Sequence, residues 1–141
     1  MSKMFEGKLE TVFFAIADVL IPEAEGMPCA SKIEGAVETL DRVLTLRPDL
    51  KEDLVRGLRL ALGKDPGAAA RELAKVDCAA FSAIGKVAAA GYYMNPKVRS
   101  LIGYPGQDKR PFDPDATPEY VSNGMLQAVI DRGSIYRPTP R

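Results

Sequence analysis

Apolar residues recur along this chain three and four positions apart, the spacing of a helix face, and nowhere in sustained alternation. The first such stretch runs from Lys8 to Leu20. Its apolar residues Leu9, Val12, Phe13, Phe14, Ile16, Ala17, Val19 and Leu20 predict a helix with a broad buried face. Ile21-Pro22 ends it, because the residue before a proline is pushed out of helical geometry. Pro22 to Ala30 reads as a loop. Ser31 then stands as the cap of a second helix, with Glu34 three residues on in a capping-box arrangement. Its core face is Ile33, Val37, Leu40, Val43 and Leu44, and it ends near Leu46.

Pro48 and Asp49 open a third helix through Leu62, with Leu50, Leu54, Val55, Leu58 and Leu62 on one side. Gly63 stops it. Asp65 caps a fourth helix, Pro66 to Lys75, and Asp77 caps a fifth, from Cys78 to about Ala90. Small residues stud the fifth, among them Ala80, Ala83, Gly85, Ala88 and Gly91, which allows close helix approach and predicts a central bundle helix. Asn95 caps a short sixth helix with Pro96 at its first position. A Pro-rich loop spans 103–118, a last helix runs from about Pro118 to Arg132, and Gly133 leads into an extended tail over 133–141. The expectation is all-α: one compact domain over residues 1–141, a bundle of six or seven helices.

Composition narrows the chemistry. The chain has 141 residues, 46% of them hydrophobic, enough for a real core. Lys plus Arg and Asp plus Glu are 19 each, so the zero net charge offers no electrostatic case for nucleic acid or an anionic membrane surface. There is no histidine, which excludes Ser-His-Asp and Cys-His nucleophile systems, a His-ligated haem and the usual zinc site. The apolar run Val12 to Ile21 is too short to span a bilayer. Cys29 and Cys78 lie outside any CxxC motif, which favours thiols over a disulfide and a reducing compartment. A helix N-terminus would make Cys78 the more reactive thiol, though a small apolar filler is the favoured reading.

No motif here carries catalysis. Glu34, Glu38 and Asp41 share a helical spacing but read as a solvated face, since a metal site needs ligands from a second element. Asp113 and Asp115 form an acidic turn without the ligand spacing of a calcium loop. Gly103-Tyr104-Pro105-Gly106 and Gly63-Lys64-Asp65-Pro66-Gly67 lack the preceding strand of a phosphate loop, and no strand–turn–helix unit offers a dinucleotide site. Hence no catalytic, cofactor-binding or metal residue is assigned.

The informative segment is 91–107, which holds three of the five tyrosines. A rigid ring with a polar tip is a good partner anchor. Tyr92, Tyr93, Tyr104, Pro105 and Phe112 are therefore assigned as partner-interface or loop-anchoring residues. The competing reading has Tyr92 and Tyr93 only capping the domain's own core. Tyr136 and Arg137 join the interface set from the tail, where prolines limit the entropy lost on docking; a frayed terminus is the alternative.

Three patterns carry a family resemblance: Phe14-Ala15-Ile16-Ala17-Asp18-Val19-Leu20-Ile21-Pro22, Gly91-Tyr92-Tyr93-Met94-Asn95-Pro96, and Leu101-Ile102-Gly103-Tyr104-Pro105-Gly106. In order and spacing, from Leu9 to about Gln107, the chain resembles the small subunit of gluconate 2-dehydrogenase, subunit 3. The resemblance implies a non-catalytic partner. It implies a hetero-oligomer with a large flavoprotein of the glucose-methanol-choline type, which holds FAD and oxidises a sugar or alcohol hydroxyl. This chain would bind and stabilise that subunit and carry no cofactor itself. Many such subunits open with a twin-arginine signal; Met1-Ser2-Lys3-Met4-Phe5-Glu6 has none, so a cytoplasmic variant without membrane insertion is expected, or a periplasmic one if an export signal has been removed. Two other readings stand beside this one: a homo-oligomeric helical scaffold, and an enzyme using carboxylates such as Glu34 or Asp113.

Overall fold

A computed structural model of the chain describes residues 7–107, 113 and 116–135. The described residues are all-α, with no strand beyond an isolated bridge between Ala24 and Met27. Helix α1 spans Gly7–Leu20, α2 Ala36–Leu46, α3 Lys51–Ala61, α4 Pro66–Val76, α5 Cys78–Met94 and α6 Pro96–Leu101. Two short helices follow, α7 over Glu119–Ser122 and α8 over Gln127–Arg132. Single 3-10 turns precede α2 and α3, at Ala30–Lys32 and Pro48–Leu50. The chain divides into two compact units, one ending at Gly106 and one beginning at Gln107.

In the first unit α5 is the hub, packing against α1, α2, α3, α4 and α6. Its inward stripe is Ala80, Ala83, Ile84, Val87, Ala88 and Tyr92. Leu54 and Leu58 of α3, Leu40 and Leu44 of α2 and Phe13 and Ile16 of α1 complete the core. Each fully buried Leu or Ile contributes roughly 1.5–3 kcal/mol of transfer free energy. Helices α3 and α5 pack closely at Gly57. A methyl group there would lie 3.0 Å from Ala80 Cβ and 3.1 Å from Ile84 Cδ1. Gly85, expected from the small-residue pattern to permit such an approach, has nothing within 4 Å of its methyl position.

Three helix starts follow the capping logic. Asp65 accepts the Ala68 N–H at 2.8 Å, Asp77 accepts Ala80 N–H at 3.0 Å, and Asn95 accepts Lys97 N–H at 2.9 Å. Four expectations need correction. Ser31 does not cap α2: its N–H and hydroxyl both donate to the Asp18 carboxylate, at 2.8 and 2.7 Å. Gly35, in left-handed geometry at φ 76°, then resets the chain so that α2 begins at Ala36. Leu62 falls outside α3 and is exposed. Helix α5 runs to Met94, not Ala90, since Gly91 lies within its regular turns. The last predicted helix is broken at Gly124, φ 83°, next to Asn123, whose Oδ1 accepts the Met125 N–H.

Candidate functional site

The end of α5 explains the paired tyrosines. Successive helical residues point about 100° apart, and with α5 extending past Gly91 the two rings part company. Tyr92 turns inward, 5% exposed; Tyr93 turns outward, 57% exposed. Their rings still meet edge to face, centroids 5.2 Å apart. The Tyr92 hydroxyl donates to the Pro28 carbonyl at 2.8 Å. Burial pushes its phenol above the ordinary tyrosine range. Tyr92 is thus a loop anchor, and its ring is not open to a partner.

Just beyond, Asn95 is 2% exposed and uses both ends of its amide. Its Oδ1 caps α6, and its Nδ2 donates to the Glu34 carbonyl at 2.9 Å. With the Asp18–Ser31 pair, three hydrogen-bonding side chains grip the connector between α1 and α2 at Pro28, Ser31 and Glu34. They come from the C-terminal end of α1, the C-terminal end of α5 and the cap of α6. Asp18 belongs to the first quoted sequence pattern and Tyr92 and Asn95 to the second, so those two patterns encode a clamp on one connector. The sequence reading placed these residues but missed their joint target. Only the Asp-to-Pro spacing and the Tyr-Tyr-x-Asn-Pro order hinted at it.

The clamp holds an apolar outer surface. Helix α6 is anchored inward by fully buried Val98 and closes in a Schellman arrangement. Gly103 sits at φ 66° with its N–H donating to Ser100 O, and Tyr104 N–H donates to Arg99 O at 2.8 Å. The Arg99 guanidinium stacks over the Tyr104 ring, 5.1 Å from its centroid. Gly106, φ 97°, leaves room for Arg99: a methyl there would come within 2.8 Å of Nη2. Tyr93, Leu101, Ile102 and Tyr104 are each about half exposed, and Pro105 is exposed too. Phe112, Tyr136 and Arg137 lie outside the described residues.

Reaction chemistry finds little to build on among the described residues. A cavity of about 20 Å³ lies between α1, α2 and α5, lined by Phe13, Phe14, Ile33, Leu40 and Val87 among others. That is room for about one water, not for a substrate. A wider groove on α3, along Val55, Arg59 and Leu60, is open to solvent. No group of three potential metal ligands converges among the described residues. The side chains of Glu34 and Asp113 are exposed rather than set in a cleft. Cys29 is buried and Cys78 exposed, and both are free thiols. Cys78 is therefore no core filler; its Sγ donates to the Ala74 carbonyl at 3.2 Å. No helix among the described residues is long and apolar enough to cross a membrane. No family model matches the chain, and neither does any curated protein or solved structure.

Proposed function

We propose that this chain is a non-catalytic small subunit. It binds and stabilises a large FAD-dependent oxidoreductase of the glucose-methanol-choline type that acts on a sugar or alcohol hydroxyl. The observation that carries the partner reading is the surface on α5 and α6. Tyr93, Leu101, Ile102 and Tyr104 stay exposed on a segment locked by Asn95 and Val98. Rigid aromatic side chains already held in place lose little entropy on docking, and Tyr is enriched among residues that dominate interfaces. The identity of the partner rests on the resemblance of the three sequence patterns alone. FAD belongs to the partner in this reading, and the complex is a hetero-oligomer.

The test is a pull-down of the tagged chain from its host under gentle conditions, with an absorbance scan of the eluate. A co-purifying large protein with a flavin spectrum is the expected result. Tyr93→Ala combined with Tyr104→Ala should weaken that capture by about thirtyfold or more, the size of one interface hot spot. A colourless chain that elutes alone would sink the proposal.

A further inference from the structure

From 78 to 106 the chain holds three cations, Lys86, Lys97 and Arg99, and neither Asp nor Glu, although the two signs balance over the whole sequence. The ion pairs among the described residues are made by Lys32, Arg47, Arg56 and Lys64, and none by these three. Lys86 and Lys97 are exposed. Lys86 stands two turns before Tyr93 on α5, and Lys97 one turn before Leu101 on α6, so each shares a helix face with an exposed apolar side chain. Asp49, a carboxylate that feels Lys86, is already paired with Arg47. Arg99 is half-buried, its guanidinium stacked on the Tyr104 ring and against Gly106. The stack covers one face of the group and leaves the N–H donors in its plane. Among the described residues no carboxylate pairs with them.

We infer that the α5–α6 face docks on an apolar patch of the flavoprotein subunit that carries an Asp or Glu, and that Arg99 receives that carboxylate from its seat on Tyr104. The inference rests on the function proposed above. A charge held partly out of water calls for a counter-ion, and this chain supplies none at Arg99 among the described residues. A planar guanidinium fork matches a carboxylate through two parallel N–H donors. Its backing ring fixes the fork before the partner arrives, which lowers the entropy lost on docking. Tyr and Arg are also enriched among the side chains that dominate interfaces. Lys86 and Lys97 add positive charge beside the apolar side chains, so the complementary surface is negative at its border. Other anionic surfaces fit less well. Anionic lipid is held by clusters of about four to eight Lys and Arg, and this segment has three. A nucleic acid calls for a basic excess, and the net charge here is zero.

The test uses the full chain and the flavoprotein, with association and dissociation rates measured in about 0.1 M and about 1 M salt. Two variants are compared with wild type, Arg99→Gln and Lys97→Glu. Neither removes an ion-pair partner from inside the chain, and each variant's melting temperature is the control. Arg99→Gln is expected to dissociate about thirtyfold or more faster, as when one member of a covered charge pair is lost. Lys97→Glu is expected to associate severalfold more slowly at the lower salt and at the wild-type rate at the higher, the behaviour of a border charge. Loss of Tyr104 packing alone would not produce that salt-dependent slowing. An unchanged dissociation rate for Arg99→Gln, or an unchanged or faster association for Lys97→Glu at the lower salt, overturns the inference and leaves the subunit reading standing. So does wild-type binding to phosphatidylserine vesicles that Arg99→Gln abolishes while its rates with the flavoprotein match wild type. If the wild-type chain captures no flavoprotein, the subunit reading falls and the role of Arg99 falls with it.

Discussion

The carboxylate of Asp77 accepts the Ala80 N–H at the start of α5 while Arg56 of α3 donates from Nε and Nη2, at 2.7 and 3.1 Å. Arg56 also meets Asp53 at 2.6 Å, so one guanidinium ties two carboxylates across the α3–α5 contact. Arg56, and next the Ala80 N–H, hold the Asp77 carboxyl at about 2. An unfolded aspartate titrates near about 3.9. The folded value is the lower one, so the stabilisation is complete above about pH 4 and is lost as pH falls toward about 2. Asp77→Asn keeps a capping oxygen but gives up the ion pair. Its melting temperature should lie below wild type near neutral pH, and the gap should close as pH falls through that window. A gap independent of pH would show that the pair adds nothing. Cys78, the next residue, illustrates how far one position changes a role: the cap ties α5 to α3, while the exposed thiol only donates back to the Ala74 carbonyl.

Among the helices, glycine in α5 and glycine in α3 have opposite meanings. Gly85 sits mid-helix with open space at its methyl position, so Gly85→Ala should raise stability by about 0.4–1 kcal/mol through the unfolded chain's lost freedom. Gly57 is the contact point of α3 with α5. Gly57→Leu should cost about 1–3 kcal/mol by overpacking. Thermal or denaturant melts of the two variants check both signs, and equal effects would refute the assignment of the close approach to Gly57. Elements set by local chemistry were legible in the sequence: Asp65, Asp77 and Asn95 cap where their spacing to the next apolar face predicts. Ser31 was not, because a carboxylate thirteen residues back outcompetes the local cap. Nor was the extent of α5, since a glycine among alanines is tolerated in a helix that packs against five others. The small-residue pattern pointed to a central helix but not to which of its residues makes the close contact, because which face meets a neighbour is decided by the neighbour.

At the scale of the whole molecule, the all-α class followed from periodicity, and the tyrosine-rich segment stood out by composition. The division of labour within that segment did not, because it depends on where the α1–α2 connector lies. Helices α3, α4 and α5 are consecutive in sequence and pack on one another. The connector is gripped instead by contacts that close long stretches of chain, 64 residues from Tyr92 to Pro28 and 61 from Asn95 to Glu34. Closing such loops costs entropy before any contact repays it. The α3–α5 region should therefore assemble in the folding transition state and the clamp close after it. Tyr92→Phe removes one hydrogen bond, about 1 kcal/mol. Nearly all of that loss should appear as faster unfolding, about fivefold, with the refolding rate nearly unchanged. A stopped-flow chevron decides this, and a slowed refolding limb would place the clamp in the nucleus instead. On this reading, the clamping side chains of the first two sequence patterns govern how long the folded chain lasts, not how fast it forms.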